Sequence, residues 1–163
     1  MAGPSSLEQV GRDAEAKLYP RHVLKGCETA LILFAAGFHG RQDGYWIARA
    51  GLQATCVDHD ERLLGEMQAV YPRGWDFIVA DAYAWVESAV GKWDVVSIDC
   101  PSGHFDRCAD LLPTWTRLAS RAVILGAGPD HDRIVEPAGW PVTEIRFRSM
   151  YEGGVYWAVL ESA

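Results

Sequence analysis

Short apolar runs alternate along the chain with segments whose apolar residues recur every three or four positions. The runs at residues 30–36, 54–57, 76–80, 93–98 and 121–125 are short and rich in strand-forming residues, so each predicts a strand. Between the first two, a glycine turn at Gly37 to Gly40 leads into a helical segment carrying Tyr45, Trp46, Ile47 and Ala48, closed by Gly51. Residues 61–70 form the next helix, with Leu63, Leu64 and Met67 on one face and Pro72 as its stop. Residues 83–90 make a short helix with Trp85 and Val86. Residues 105–118 make a longer one, with Cys108, Leu111 and Leu112 inward and Pro113 as a kink. Ahead of all these, Ser6 caps a helix over residues 7–19, where Leu7, Val10, Ala14 and Leu18 keep helical spacing up to Pro20.

Strands that are unbroken apolar runs, alternating with helices, predict a parallel sheet covered on both faces. The end of the chain breaks that rhythm. Over residues 142–150 the pattern is strictly alternating: Val142, Glu144, Arg146 and Arg148 face one way, Thr143, Ile145 and Phe147 the other. A turn at Glu152-Gly153-Gly154 returns the chain as a strand over residues 155–160. With no helix between them, the two strands must form an antiparallel hairpin.

Length and charge narrow the function. A chain of 163 residues, 49% hydrophobic and 23% charged, suits one globular α/β domain (residues 29–163) preceded by an N-terminal helical extension (residues 1–28). A net charge of −7 and a pI of about 5.1 argue against broad nucleic-acid binding, which needs clustered Lys and Arg. No apolar run approaches a membrane span, and the N-terminus has no signal-peptide core. The four cysteines form no CxxC pair, and Cys56 lies in an apolar strand as a small hydrophobe, so a reduced, cytoplasmic protein is expected.

Ligands of open α/β sheets bind beyond the C-terminal ends of the strands. Here the first four strands lead into Gly37, Asp58, Asp81 and Asp99, and three carboxylates in succession point to one site. A strand, glycine turn, helix and strand ending in an acid form a nucleotide-binding unit, the acid accepting the ribose hydroxyls. A dinucleotide fold wants glycine where His39 and Gln42 stand, so nicotinamide dinucleotide is the lesser alternative. Asp60 stands where a helix N-cap belongs and is assigned to capping.

The stretch from Gly37 to Gly51, with its Ala48-Arg49-Ala50-Gly51 ending, and the segment CVDHDERLL resemble the class I S-adenosylmethionine (SAM) dependent methyltransferases. The family's acid before the first glycine is Ala35 here, and its second and third glycines are His39 and Arg41. The resemblance implies an α/β Rossmann-like three-layer sandwich with a mostly parallel sheet and a C-terminal antiparallel hairpin. It implies SAM as cofactor, held by Ala36, Gly37, Phe38, His39, Asp58, His59, Asp81 and Ala82. Asp58 would take the ribose, His59 would lie against the adenine, and Asp81, followed by Ala82, would accept from the adenine amine.

In the loop IDCPSGH the resemblance would put Asp99 near the methyl group, with Asp99 or His104 as base if the acceptor must lose a proton. Metal-dependent O-methyltransferases carry an Asp-Asn pair after the fifth strand. GAGPDHD stands there instead, with Asp130 and Asp132 later than expected, so no metal site is assigned. The Cys100-Pro101 order is the reverse of that in pyrimidine C5 methyltransferases, so Cys100 reads as a plain loop thiol. The acceptor is a small molecule or another group the sequence does not name. Its pocket must come from residues 1–28, from loop 100–105 or from the second subunit of a homodimer; Trp140 and Trp157 offer either a substrate face or a dimer contact. The alternative is a degenerate fold acting as a non-catalytic binding or assembly module, which the Ala35, His39 and Arg41 positions favour.

Overall fold

The computed structural model describes residues 6–15, 19–99, 105–127, 141–148 and 155–162. Among the described residues, seven strands, β1 (Thr29–Leu33), β2 (Gln53–Asp58), β3 (Asp76–Val79), β4 (Trp93–Asp99), β5 (Ala119–Ala127), β6 (Val142–Arg148) and β7 (Val155–Glu161), form one sheet in the order β3-β2-β1-β4-β5-β7-β6. The first five run parallel, with Leu31 opposite Thr55 on one side of β1 and Val96 on the other. β7 lies antiparallel to both β5 and β6. This is the α/β Rossmann-like sandwich with a terminal hairpin that the apolar pattern and the resemblance implied.

Alternation along each strand splits the core into two layers. Ala30, Ile32, Cys56 and Val95 face α2 (Phe38–Arg49) and α3 (Glu61–Val70). Leu31, Leu33, Val57, Val96 and Ile98 face α4 (Ala82–Ser88) and α5 (Phe105–Leu118). Asp60 caps α3 as expected, its carboxylate accepting the Leu63 N–H at 2.9 Å. Cys56 is buried, and burial pushes its thiol far above the ordinary range, consistent with a purely apolar role.

Two glycines let neighbours approach α2 closely. A Cβ on Gly44 would sit 2.7 Å from the Tyr71 hydroxyl, which donates to the Arg41 carbonyl. A Cβ on Gly11, in α1 (Leu7–Glu15), would sit 2.7 Å from the Tyr45 ring. Thus α1 packs on α2. A 3-10 helix (Arg21–Leu24) then carries the chain to β1, burying Val23 and Leu24 on the way.

The structure moves several boundaries. The expected turn at Gly37 to Gly40 is not a turn. The chain turns at residues 34–37, and α2 begins at Phe38 with Gly37 as its N-cap. His39 and Arg41 carry ordinary helix propensity where glycines would have resisted it, so the helix starts early. β1 ends at Leu33 rather than at residue 36, because Phe34 takes φ +58° and leaves the strand direction. The first helix is described only to Glu15. Tyr19 lies outside it, buried. β5 starts two residues before the expected Arg121 and continues to Ala127. The hairpin turn at Glu152-Gly153-Gly154, the positions Asp130, Asp132 and Trp140, and the Trp157 side chain lie outside what is described.

Candidate functional site

The strand order reverses between β1 and β4, which opens a crevice beyond their C-terminal ends. Four sequence-predicted positions meet on one side of it. Asp58 closes β2 and is only 6% exposed. Its Oδ2 accepts the Ala36 N–H at 2.9 Å, and its Oδ1 accepts the Asp60 N–H at 3.0 Å. Each carboxylate oxygen keeps a second lone pair. The loop before Gly37 is thereby tied to the strand end that would hold a ribose. Ala35 donates to the Val57 carbonyl at 3.2 Å and is fully buried, so a carboxylate at this position would be sealed in the core. His59 is 83% exposed, with Nδ1 3.5 Å from Asp58 Oδ1.

Gly37 gives α2 no side-chain cap, so the first N–H groups of that helix depend on partners from outside it. They follow shortly after the Ala36 amide that Asp58 holds, and the positive end of the helix dipole favours an anion there. The Phe38 and His39 side chains lie outside the described set; their backbone forms the first turn of α2.

Asp81 follows β3 by two residues and caps α4, Oδ1 accepting the Tyr83 N–H at 2.9 Å. Asp81 therefore serves as the N-cap of α4 through Oδ1, and Oδ2 turns elsewhere. Ala82 and Tyr83 are buried behind it. Phe34 packs against the Tyr83 ring at 5.0 Å, joining the turn after β1 to α4. Arg107 of α5 covers the same ring, its Cζ 4.0 Å from the centroid.

Asp99 ends β4 across the crevice from the Asp58 side. Two residues earlier, on the same face of β4, Ser97 is buried in a polar chain. The Tyr19 hydroxyl lies 3.0 Å from Ser97 Oγ, which donates to the buried Asp43 of α2 at 3.3 Å. Burial, with the Asp43 charge next, holds the Tyr19 phenol well above its ordinary value. So the segment before β1 is anchored to β4 beneath Asp99.

Sequence reasoning missed Tyr19, Asp43, Ser97 and Arg107. A serine inside the apolar run of β4 was the available signal for Ser97; Arg107 carried none. His104 and Cys100, in the loop after β4, lie outside the described residues. Among the described residues, no group of three His, Cys, Asp or Glu side chains gathers as a metal site would require, and no helix is long and apolar enough to cross a membrane.

No protein-family model and no curated protein sequence matches the chain. Solved structures do. The N-methyltransferase NodS from Bradyrhizobium japonicum WM9 superposes with a TM-score of 0.67 at 11% identity, over 96% of each chain. Its complex with S-adenosyl-l-homocysteine gives 0.66 at 9% identity, over 98% of this chain and 99% of that one. A putative RNA methyltransferase, PH1948 from Pyrococcus horikoshii, gives 0.68 at 16% identity, over 93% of this chain and 83% of that one. The chain has the fold of the class I SAM-dependent methyltransferases.

Proposed function

We propose that this protein is a SAM-dependent methyltransferase acting on a small molecule or a comparable acceptor. The observation that carries the reading is the Asp58 carboxylate at the end of β2, clamped to the Ala36 amide of the turn after β1 and nearly buried. A buried acid held by the turn that precedes a helix N-terminus is built to meet a polar ligand. In this reading Asp58 accepts from the ribose hydroxyls. Ala36, Gly37 and the first turn of α2, at Phe38 and His39, face the methionine carboxylate. His59 lies against the adenine, and Asp81 with Ala82 meets its amine.

SAM, when bound there, would supply a sulfonium-activated methyl group to the lone pair of the acceptor, leaving S-adenosylhomocysteine. Asp99, at the β4 end, orients the acceptor and takes a proton where one must leave, and His104 is the second candidate base. The packing of α1 on α2 and the Tyr19–Ser97 bond support the segment before β1 as a wall of the acceptor side.

Isothermal titration with SAM and S-adenosylhomocysteine tests the reading. Micromolar binding, lost in Asp58→Ala, supports it. Binding of NADH without SAM would replace it with the dinucleotide alternative. A second reading, a methyltransferase fold kept as a binding or assembly module, is favoured by the sealed Ala35 position. SAM binding without turnover on a broad acceptor panel would select that second reading.

A further inference from the structure

Asp81 has a cationic neighbour. Arg107, in the first turn of α5, places Nη2 4.0 Å from Asp81 Oδ2. One face of its planar guanidinium rests on the Tyr83 ring, yet the side chain stays 56% exposed. The Asp81 carboxylate cannot rotate freely, because Oδ1 is held by the Tyr83 N–H. Oδ2 is thus set beside a guanidinium edge at a distance too long for a hydrogen bond between them. Arg107, with Tyr83, Glu87 and Asp110 among others, also lines a cavity of about 270 Å³ between α4 and α5.

An acceptor and a donor side by side, both on rigid helix starts, match one edge of adenine. Its 6-amino group donates, and the ring nitrogens on either side of that group accept, as an amide side chain reads them in DNA. We propose that Arg107 is a cofactor-specificity residue: Asp81 Oδ2 accepts from the adenine amino group while Arg107 donates to the neighbouring ring nitrogen. Tyr83 keeps the guanidinium in plane, and Phe34 keeps Tyr83 in place. The assignment rests on the SAM reading and adds to it the group that distinguishes adenine from other bases.

The test uses S-adenosylhomocysteine and its 1-deaza and 7-deaza analogues, titrated into wild type and Arg107→Met. Methionine keeps an apolar cover on Tyr83 and removes every donor. Arg107→Met should bind S-adenosylhomocysteine about tenfold more weakly, within the range of one good polar pair, with an unchanged melting temperature in the absence of ligand. One of the two deaza analogues should bind wild type about tenfold more weakly and show no further loss in Arg107→Met. Additive losses, or wild type binding both deaza analogues as tightly as the parent, would overturn the role of Arg107 while leaving the cofactor reading intact. Failure of wild type to bind S-adenosylhomocysteine at all would instead remove the cofactor reading, and this assignment with it.

Discussion

The Ala36 amide and the Asp58 carboxylate are joined at 2.9 Å, so the turn after β1 and the end of β2 form one rigid unit. Asp58→Asn would turn an NH2 group toward either the Ala36 or the Asp60 amide, setting donor against donor in a nearly buried place. The expected cost is about 1–3 kcal/mol, the usual penalty for an unsatisfied buried group. Urea melts measure it. S-adenosylhomocysteine should then protect the variant far less than it protects wild type. Equal protection would mean that the ligand does not use this carboxylate.

Tyr19 and Tyr71 are buried, and both phenols are held well above the ordinary value, burial being the main cause. A raised pKa contributes stability that is fully present below the unfolded value near 10 and is lost as pH rises beyond it. Stability should therefore fall above pH 10 by about 1.4 kcal/mol per pH unit for each tyrosine. Tyr19→Phe and Tyr71→Phe should each flatten that alkaline limb. At neutral pH each also loses a hydrogen bond, to Ser97 and to the Arg41 carbonyl respectively, at about 0.5–1.5 kcal/mol. Denaturant melts from pH 8 to 11.5 would show both effects. A limb of unchanged slope in both variants would contradict the burial argument.

The order of strands and helices was legible because each strand is an apolar run and each helix keeps its period. Even the bounds of α3 and α5 follow from Asp60, Pro72 and the spacing of Leu111 and Leu112. The turn after β1 was not legible. Gly37 suggested a loop running to Gly40, but whether a residue continues a helix depends on what lies under it, and α2 is packed from distant parts of the chain, by Tyr71 at Gly44 and by Gly11 at Tyr45. The acids at strand ends could be read one at a time. What each oxygen is bonded to could not, since the partners of Asp58 and Asp81 are backbone amides and carry no side-chain signature. Asp43 stood in a helix as an ordinary polar residue. Only the fold turns it inward, toward Ser97 and Tyr19.

Gly44 is required for α2 to sit beside Tyr71. Gly44→Ala places a methyl group 2.7 Å from the hydroxyl and 2.9 Å from the ring carbon that bears it. The ring cannot yield easily, being stacked on Trp75 at 5.0 Å and bonded to the Arg41 carbonyl. Despite the better helix propensity of alanine, overpacking should destabilise the protein by about 1–3 kcal/mol. In a Tyr71→Phe background the same substitution should cost less, because the nearest atom is gone. Identical costs in both backgrounds, measured by a double-mutant cycle, would show that the clash is not with the hydroxyl.

Asp94 ties the starts of three strands together, and the acid side of the stability curve should depend on it. Its Oδ2 accepts the Glu28 and Thr29 amides at 2.7 and 3.2 Å, its Oδ1 accepts the Ser120 hydroxyl at 3.1 Å, and its own amide donates to Thr29 Oγ1 at 2.9 Å. The Glu28 backbone bond, above all, holds this carboxyl below its ordinary value, with Thr29, Ser120 and Arg121 adding to the effect. A lowered pKa contributes stability that is present above the ordinary carboxylate range and is lost as pH falls through the lowered value. Asp94→Asn should lower the melting temperature at pH 7 by about 2–4 °C, since exposure to solvent keeps the effect small. The two proteins should converge as pH falls below the ordinary carboxylate range, where the native carboxyl becomes protonated and loses the same advantage. Melting curves taken from pH 7 down to pH 2 separate the outcomes. A constant gap across that range would mean that Asp94 contributes through packing at the strand starts and not through its charge.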